Sequence, residues 1–318
     1  VRVLITGVGG FVGQHLSEHL LTASSDVTLH GTVIDRPSSR IDAAVVQHTL
    51  DLRDSQATKA LIQAIQPDHI YHIAAMAAVG RSFEAAWETI ENNVRAQLSI
   101  LQACLEMAQK PRILVVSSGE IYGPAPLEAL PATEATALLP SSPYSVSKVT
   151  QDMLGLQYFL SYQLPVIRVR PFNHLGPGQS EGFVAPDFAL QIARIEAGLQ
   201  PPQMFVGSLT AQRDFLDVRD VVRAYRLVMT HGLPGEVYNV ASGVTHSIQN
   251  LLDTLLRHSH TDIEICEDPA RMRPAVVPIL WGDSSRLRAA TGWEPTIPFE
   301  QTLLDVLNDC RQRVLSTQ

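Results

Sequence analysis

A phenol and an ammonium stand four residues apart in the run Tyr144-Ser145-Val146-Ser147-Lys148. On a helix that spacing puts both on one face, one turn apart. A phenol with a pKa of about 10 exchanges protons poorly at neutral pH, and a nearby cation favours its ionised form; a shift of about 3 units corresponds to about 4 kcal/mol. The expectation is therefore a Tyr144 pulled down by Lys148, trading a proton with a substrate oxygen while a hydride moves to or from carbon. A second polar run, Ser117-Ser118-Gly119-Glu120-Ile121-Tyr122-Gly123, leaves the end of an apolar strand pattern. The Ser118 hydroxyl there can bond the same oxygen that Tyr144 protonates, and Glu120, two residues on, can address a neighbouring substrate atom.

Hydride chemistry needs a carrier, and the first residues supply a place for one. Thr6-Gly7-Val8-Gly9-Gly10-Phe11-Val12-Gly13 follows a β-branched run and opens a helical pattern. Gly7, Gly10 and Gly13 serve a tight turn, a close backbone approach to a pyrophosphate and helix-on-strand packing; Phe11 and Val12 open a helix whose N-terminus attracts phosphate. Asp35 falls roughly 20 residues past the last glycine, where a carboxylate binds a ribose 2′-hydroxyl. Its neighbour Arg36 stacks on adenine or pairs with a 2′-phosphate, so NADH and NADPH both stay open, with Asp35 leaning to NADH. Asp51-Leu52 and Ala74-Ala75 lie at the C-terminal ends of later strand patterns, where ligands bind in such sheets. In that setting Lys148 also holds the nicotinamide ribose, beside Tyr144.

These residues need a frame. Val1–Thr6, Thr28–Asp35, Val45–Leu50, His69–Ala74, Ile113–Ser117 and Val166–Arg170 read as buried strands. Between them Phe11–Leu21, Ser55–Ile65, Phe83–Met107 and Tyr144–Tyr162 carry helical spacing. Strict alternation predicts an α/β fold with a doubly wound, Rossmann-type parallel sheet. After Arg170 the texture turns to Pro and Gly clusters, which predicts a dinucleotide-binding domain over 1–170, rejoined by about 214–240, and a smaller α/β domain over 171–318. The chain has 318 residues with 45% hydrophobic and 18% charged, which suits a globular protein. A net charge of −8 with no basic cluster predicts no nucleic-acid partner, and no apolar run nears the ~18 residues that span a bilayer, which predicts no membrane partner and a cytoplasmic location. His69 and His72 fall on opposite faces of a strand and cannot share a metal, and Cys104, Cys266 and Cys310 are few and scattered, so no metal site is expected.

Together the glycine motif, the serine strand end and Tyr-x-x-x-Lys resemble the extended short-chain dehydrogenase/reductase superfamily over nearly the whole chain. Within it, Arg170–Gln179, Gly182-Phe183-Val184, Arg213–Asp220 and Asp268–Pro274 are similar to motifs of the GDP-4-dehydro-6-deoxy-D-mannose reductases. The resemblance implies reduction of the 4-keto group of a GDP-6-deoxyhexose by NAD(P)H to GDP-D-rhamnose. It makes Ser118, Tyr144 and Lys148 the catalytic trio, with Asn93 as a structural or relay partner. Asn173 would contact sugar or diphosphate, Arg213 and Arg273 would clamp the diphosphate, and Phe183 and Val184 would line the nucleobase pocket. Related dehydratases carry an acidic or hydroxyl residue where this chain has Gly119. That favours the reductase over a 4,6-dehydratase or 4-epimerase, and the intact trio argues against a dinucleotide-sensing protein without catalysis. Surplus apolar residues on Phe83–Met107 and Tyr144–Tyr162 (Ile90, Val94, Leu98, Leu101, Leu105; Met153, Leu156, Phe159, Leu160) predict a two-fold homodimer through these helices, with Leu156 facing outward.

Overall fold

The computed structural model describes residues 1–38, 40–271 and 277–316. In chain order the strands are β1 (Arg2–Thr6), β2 (Thr28–Val33), β3 (Val45–Thr49), β4 (His69–His72), β5 (Arg112–Val116), β6 (Val166–Pro171) and β7 (Asn173–Leu175). They continue with β8 (Gln203–Val206), β9 (Gln212–Asp217), β10 (Val237–Val240), β11 (Thr245–Ser247), β12 (Glu264–Glu267) and β13 (Ile279–Leu280). The helices are α1 (Phe11–Ala23), α2 (Ser55–Ile65), α3 (Val79–Glu84), α4 (Ala86–Leu105) and α5 (Pro143–Tyr162). After them come α6 (Val184–Glu196), α7 (Val218–His231), α8 (Ile248–Arg257), α9 (Ser285–Thr291) and α10 (Phe299–Leu315).

Seven strands form one sheet in the order β10-β6-β5-β4-β1-β2-β3, every pair parallel. The parallel α/β sheet expected from strict alternation is present, and its direction of winding reverses between β1 and β4. In open parallel sheets ligands bind at that reversal. Helices α1 and α7 cover one face through Leu16, Leu20, Val221, Tyr225 and Val228; α2, α4 and α5 cover the other through Ile62, Ile100, Leu101 and Tyr158. A strand buried on both faces has no polar side to show, which is why Val3, Leu4 and Ile5 are all buried.

Two sequence expectations shift. The second strand ends at Val33, so Asp35 and Arg36 lie on the exposed turn beyond it. The apolar period of Phe83–Met107 runs across two helices, because Ala85 leaves helical geometry at φ −128° and ψ 50°.

The smaller layer is made of short strands. β11-β9-β13 with β7 alongside β9 forms one sheet, and β8 pairs with β12 in another. Helices α6, α8 and α10 pack over them around Phe188, Leu251, Leu255, Leu303 and Leu307. The outer side of β8 is closed by a side chain: Gln191 of α6 donates its amide hydrogen to the Phe205 carbonyl (3.2 Å) and accepts from the Phe205 N–H (2.9 Å).

Candidate active site

Helix α5 starts where it does because Ser142 caps it. The Ser142 hydroxyl accepts from the Ser145 N–H (3.0 Å), the Ser145 hydroxyl accepts from the Ser142 N–H (2.9 Å), and Pro143 takes the first helical position. Tyr144 is thereby fixed in the first turn and Lys148 one turn later. Further along, Asp152 is fully buried between Arg168 (2.7 Å) and Arg170 (2.8 Å), which fastens the helix to β6.

Tyr144 and Lys148 are both buried, and the Lys148 Nζ lies 5.9 Å from the Tyr144 ring centroid. Nζ donates to the Val116 carbonyl at the end of β5 (2.9 Å). Ser118 sits beside them: its hydroxyl hydrogen-bonds the Tyr144 phenol and accepts from the Glu120 N–H (3.1 Å). Ser117 turns the other way and donates to the Lys148 carbonyl (3.1 Å).

The expectation that Lys148 lowers the Tyr144 pKa fails. Burial pushes the phenol up to about 12, against the smaller pull of the Ser118 hydrogen bond. The same burial brings Lys148 down to about 7. Desolvation disfavours both charged forms, and spacing along a sequence does not reveal how much water is lost.

A cleft of about 850 Å³ opens at the winding reversal. Gly7, Gly10, Asp35, Arg36, Asp51, Leu52, Ala74 and Ala75 all line it, as do Ser38, Arg40, Met76 and Asn92, which sequence reading missed. These four sit in the loop after β2, the segment after β4 and the middle of α4, with no fixed offset from the glycines to reveal them. Gly7 holds φ +71°, and a Cβ there would lie 3.0 Å from the Ala74 Cα. A Cβ on Gly13 would lie 2.4 Å from the Gly7 carbonyl, so α1 can approach β1 only without one. Phe11, Val12 and Gly13 form the start of α1, whose Gly10 cap has no side chain to occupy the first N–H groups. A glycine cradle, an uncapped helix start and a long cleft suit a dinucleotide. Asp51 is engaged by Arg53 (2.7 Å), which holds its carboxyl below the usual range. Asn93 lies inside α4, fully buried; its amide accepts from the Met76 N–H (2.8 Å) and donates to the Ser147 hydroxyl (2.9 Å).

Of the expected substrate residues, Arg213 lies 3.8 Å from Glu120 and is mostly buried. Asn173 starts β7, and Phe183 and Val184 sit half-buried at the start of α6. Arg273 lies outside the described residues. The three carboxylates of the Arg213–Asp220 run point inward. Asp214 accepts from the Ser242 and Gly243 N–H groups (2.9 Å each) and the Ser242 hydroxyl (2.6 Å). Asp217 accepts from Arg219 (2.7 Å) and the Thr302 hydroxyl (2.9 Å), and Asp220 from the Thr296 and Ile297 N–H groups (2.9 Å each).

The profile of the family described as "GDP-mannose 4,6 dehydratase" matches residues 4–306. The chain belongs to the GDP-mannose 4,6-dehydratase family. Within that family's wider kin, it is 37% identical over 313 residues to the GDP-6-deoxy-D-mannose reductase of Pseudomonas aeruginosa, covering 98% of each chain. The solved structure of RMD from Pseudomonas aeruginosa complexed with NADPH superposes with a TM-score of 0.87 at 36% identity, covering 98% of this chain and 99% of that one. UDP-glucose 4-epimerase of Thermus thermophilus in complex with NAD gives 0.85 at 28% identity, covering 98% and 99%. Among the described residues of this family member, no helix is long and apolar enough to cross a membrane.

Proposed function

We propose that this protein reduces the 4-keto group of GDP-4-dehydro-6-deoxy-D-mannose with NAD(P)H to GDP-D-rhamnose, working in the cytoplasm. One observation supports reduction over the dehydration for which the family is named. At the end of β5 the side chains available for proton transfer are Ser118 and Glu120, and Glu120 is paired with Arg213. Position 119 adds nothing, and a Cβ there would lie 3.0 Å from the buried Phe172 ring. Reduction needs one acid at the sugar oxygen, whereas eliminating water needs a further base and acid.

When bound, the dinucleotide supplies the hydride. Tyr144, protonated at working pH, gives its proton to the C4 oxygen as that oxygen gains charge. Ser118 holds the oxygen in place, and Lys148 offsets the phenolate left behind. Gly7, Gly10, Phe11 and Val12 carry the pyrophosphate, with Gly13 letting that helix start sit close to β1; Asp35 and Arg36 meet the adenosine ribose; Asn173, Phe183, Val184 and Arg213 receive the GDP-sugar. Incubation with NADPH or NADH and enzymatically generated keto sugar, followed by product NMR, tests this. Conversion of GDP-mannose with oxidised cofactor, and no net consumption of NADPH by the keto sugar, favours the dehydratase instead.

The enzyme works as a homodimer through α4 and α5. Val146, Met153 and Leu160 are exposed at seven-residue spacing on α5, and Phe83 of α3 and Trp87 of α4 are exposed as well. This corrects the outward position: Leu156 is half-buried and Leu101 fully buried. Met153→Arg is expected to give monomers in sedimentation, because an unpaired charge in an apolar contact is costly. A dimeric variant refutes this interface.

A further inference from the structure

We propose that His72 and Gln151 are positioning residues that hold the catalytic helix in register with the dinucleotide cleft. His72 ends β4 and is buried, its Nδ1 2.9 Å from the Thr6 hydroxyl and its Nε2 3.3 Å from the Gln151 Nε2. Because an amide nitrogen only donates, His72 Nε2 accepts and Nδ1 carries the proton, donating to Thr6.

Each end of this pair reaches a different part of the site. The Thr6 hydroxyl also accepts from the Ile73 and Ala74 N–H groups (3.2 Å each), both in the cleft wall, and Thr6 precedes Gly7. Gln151 stands three residues past Lys148 on α5, fully buried, and its Nε2 also donates to the Asn93 carbonyl (3.0 Å). Asn93 in turn grips Met76 of the cleft and Ser147, the residue before Lys148. A dry chain of hydrogen bonds thus runs from the glycine turn to the catalytic helix.

Packing alone does not call for it. The same face of the sheet is filled elsewhere by Ile70, Ile100, Leu101 and Ile113. Among the described residues, the Gln97 and Gln151 Oε1 atoms are buried with no partner, a cost that offsets part of what the network's hydrogen bonds contribute to stability. A directional chain of hydrogen bonds fixes one geometry where apolar contacts tolerate several.

The proposal rests on Tyr144 acting as the acid. Its test uses Thr6→Val, Thr6→Ser, His72→Phe and Gln151→Leu, reading NADPH Kd by fluorescence titration, then kcat and KM for the keto sugar per folded enzyme. His72→Phe is expected to weaken NADPH binding and lower kcat, each about tenfold, since small misplacements are costly at reacting centres. Thr6→Val moves chiefly Kd, Gln151→Leu chiefly kcat, and Thr6→Ser restores parental binding. Either of the first two adds little in the His72→Phe background, because groups in one network are not additive. Parental Kd and kcat in His72→Phe overturn the proposal, whatever its Tm. Should that variant not fold, parental values in Thr6→Val and Gln151→Leu overturn it. The Kd arm needs no sugar, so it stands apart from a failure of the parent to reduce the keto sugar.

Discussion

The cofactor side and the sugar side of this molecule use charged residues in opposite ways. At the ends of the seven parallel strands, Asp35 and Arg36 lie exposed along an open cleft. In the Arg213–Asp220 run, three carboxylates turn inward and tie down residues 242–243, 296–297 and 302, leaving Arg213 to face Glu120. Parallel strands that end together form an edge by themselves, so the turns that follow are free to bind. The smaller layer is split between a four-stranded sheet of mixed direction and a two-stranded pair, which share no such edge, and buried charge-assisted hydrogen bonds hold its segments instead. A charged motif therefore signals a ligand only where the fold leaves its side chains unspent.

The sharpest challenge to this contrast is at the trio itself, where neither side works without the acid. Tyr144→Phe is expected to cut kcat at least ~100-fold with NADPH Kd near parental, measured on one preparation. On the sugar side, Arg213→Ala is expected to raise KM for the GDP-sugar about tenfold with Tm nearly unchanged. Asp214→Ala does the reverse: it lowers Tm by several degrees through the loss of a buried acceptor, about 2 kcal/mol or more, as calorimetry can read. Equal Tm losses in the two variants would erase the distinction.

Two smaller effects sharpen the cofactor side. Lys148 is held near 7, below its ordinary 10.5, so its cation disappears as pH rises through about 7. Free-enzyme kcat/KM is then expected to fall above that pH, as a pH profile shows. The sign for stability is opposite: the unfolded chain keeps this proton up to about 10.5, so the Lys148 contribution grows from pH 7 to 10.5. Asp35→Ala is expected to move the kcat/KM ratio a few-fold toward NADPH, because a carboxylate repels a 2′-phosphate. An unchanged ratio places Asp35 away from the ribose.

Much of the frame was legible because hydrophobic period and glycine spacing are local properties. The parallel sheet, the glycine turn and the Tyr144–Lys148 helix all follow from residues near one another in sequence. Arg40, Met76 and Asn92 did not, since the fold carries them to the cleft from separate loops and helices. Nor did the role of His72, which sequence spacing marks only as unable to share a metal with His69; its partners lie 66 and 79 residues away. The Tyr144 pKa was misread for a related reason: a neighbouring charge shows in the sequence, and exclusion of water does not.

The Gln191 amide at β8 has a bearing on how the protein behaves in a crowded solution. An unpaired strand border is a template on which another chain can grow. By filling both the donor and the acceptor of Phe205, one glutamine does the work of an absent strand. Its replacement by leucine would preserve bulk while leaving the Phe205 N–H and carbonyl open to a strand from another copy, a change expected to raise the tendency to aggregate.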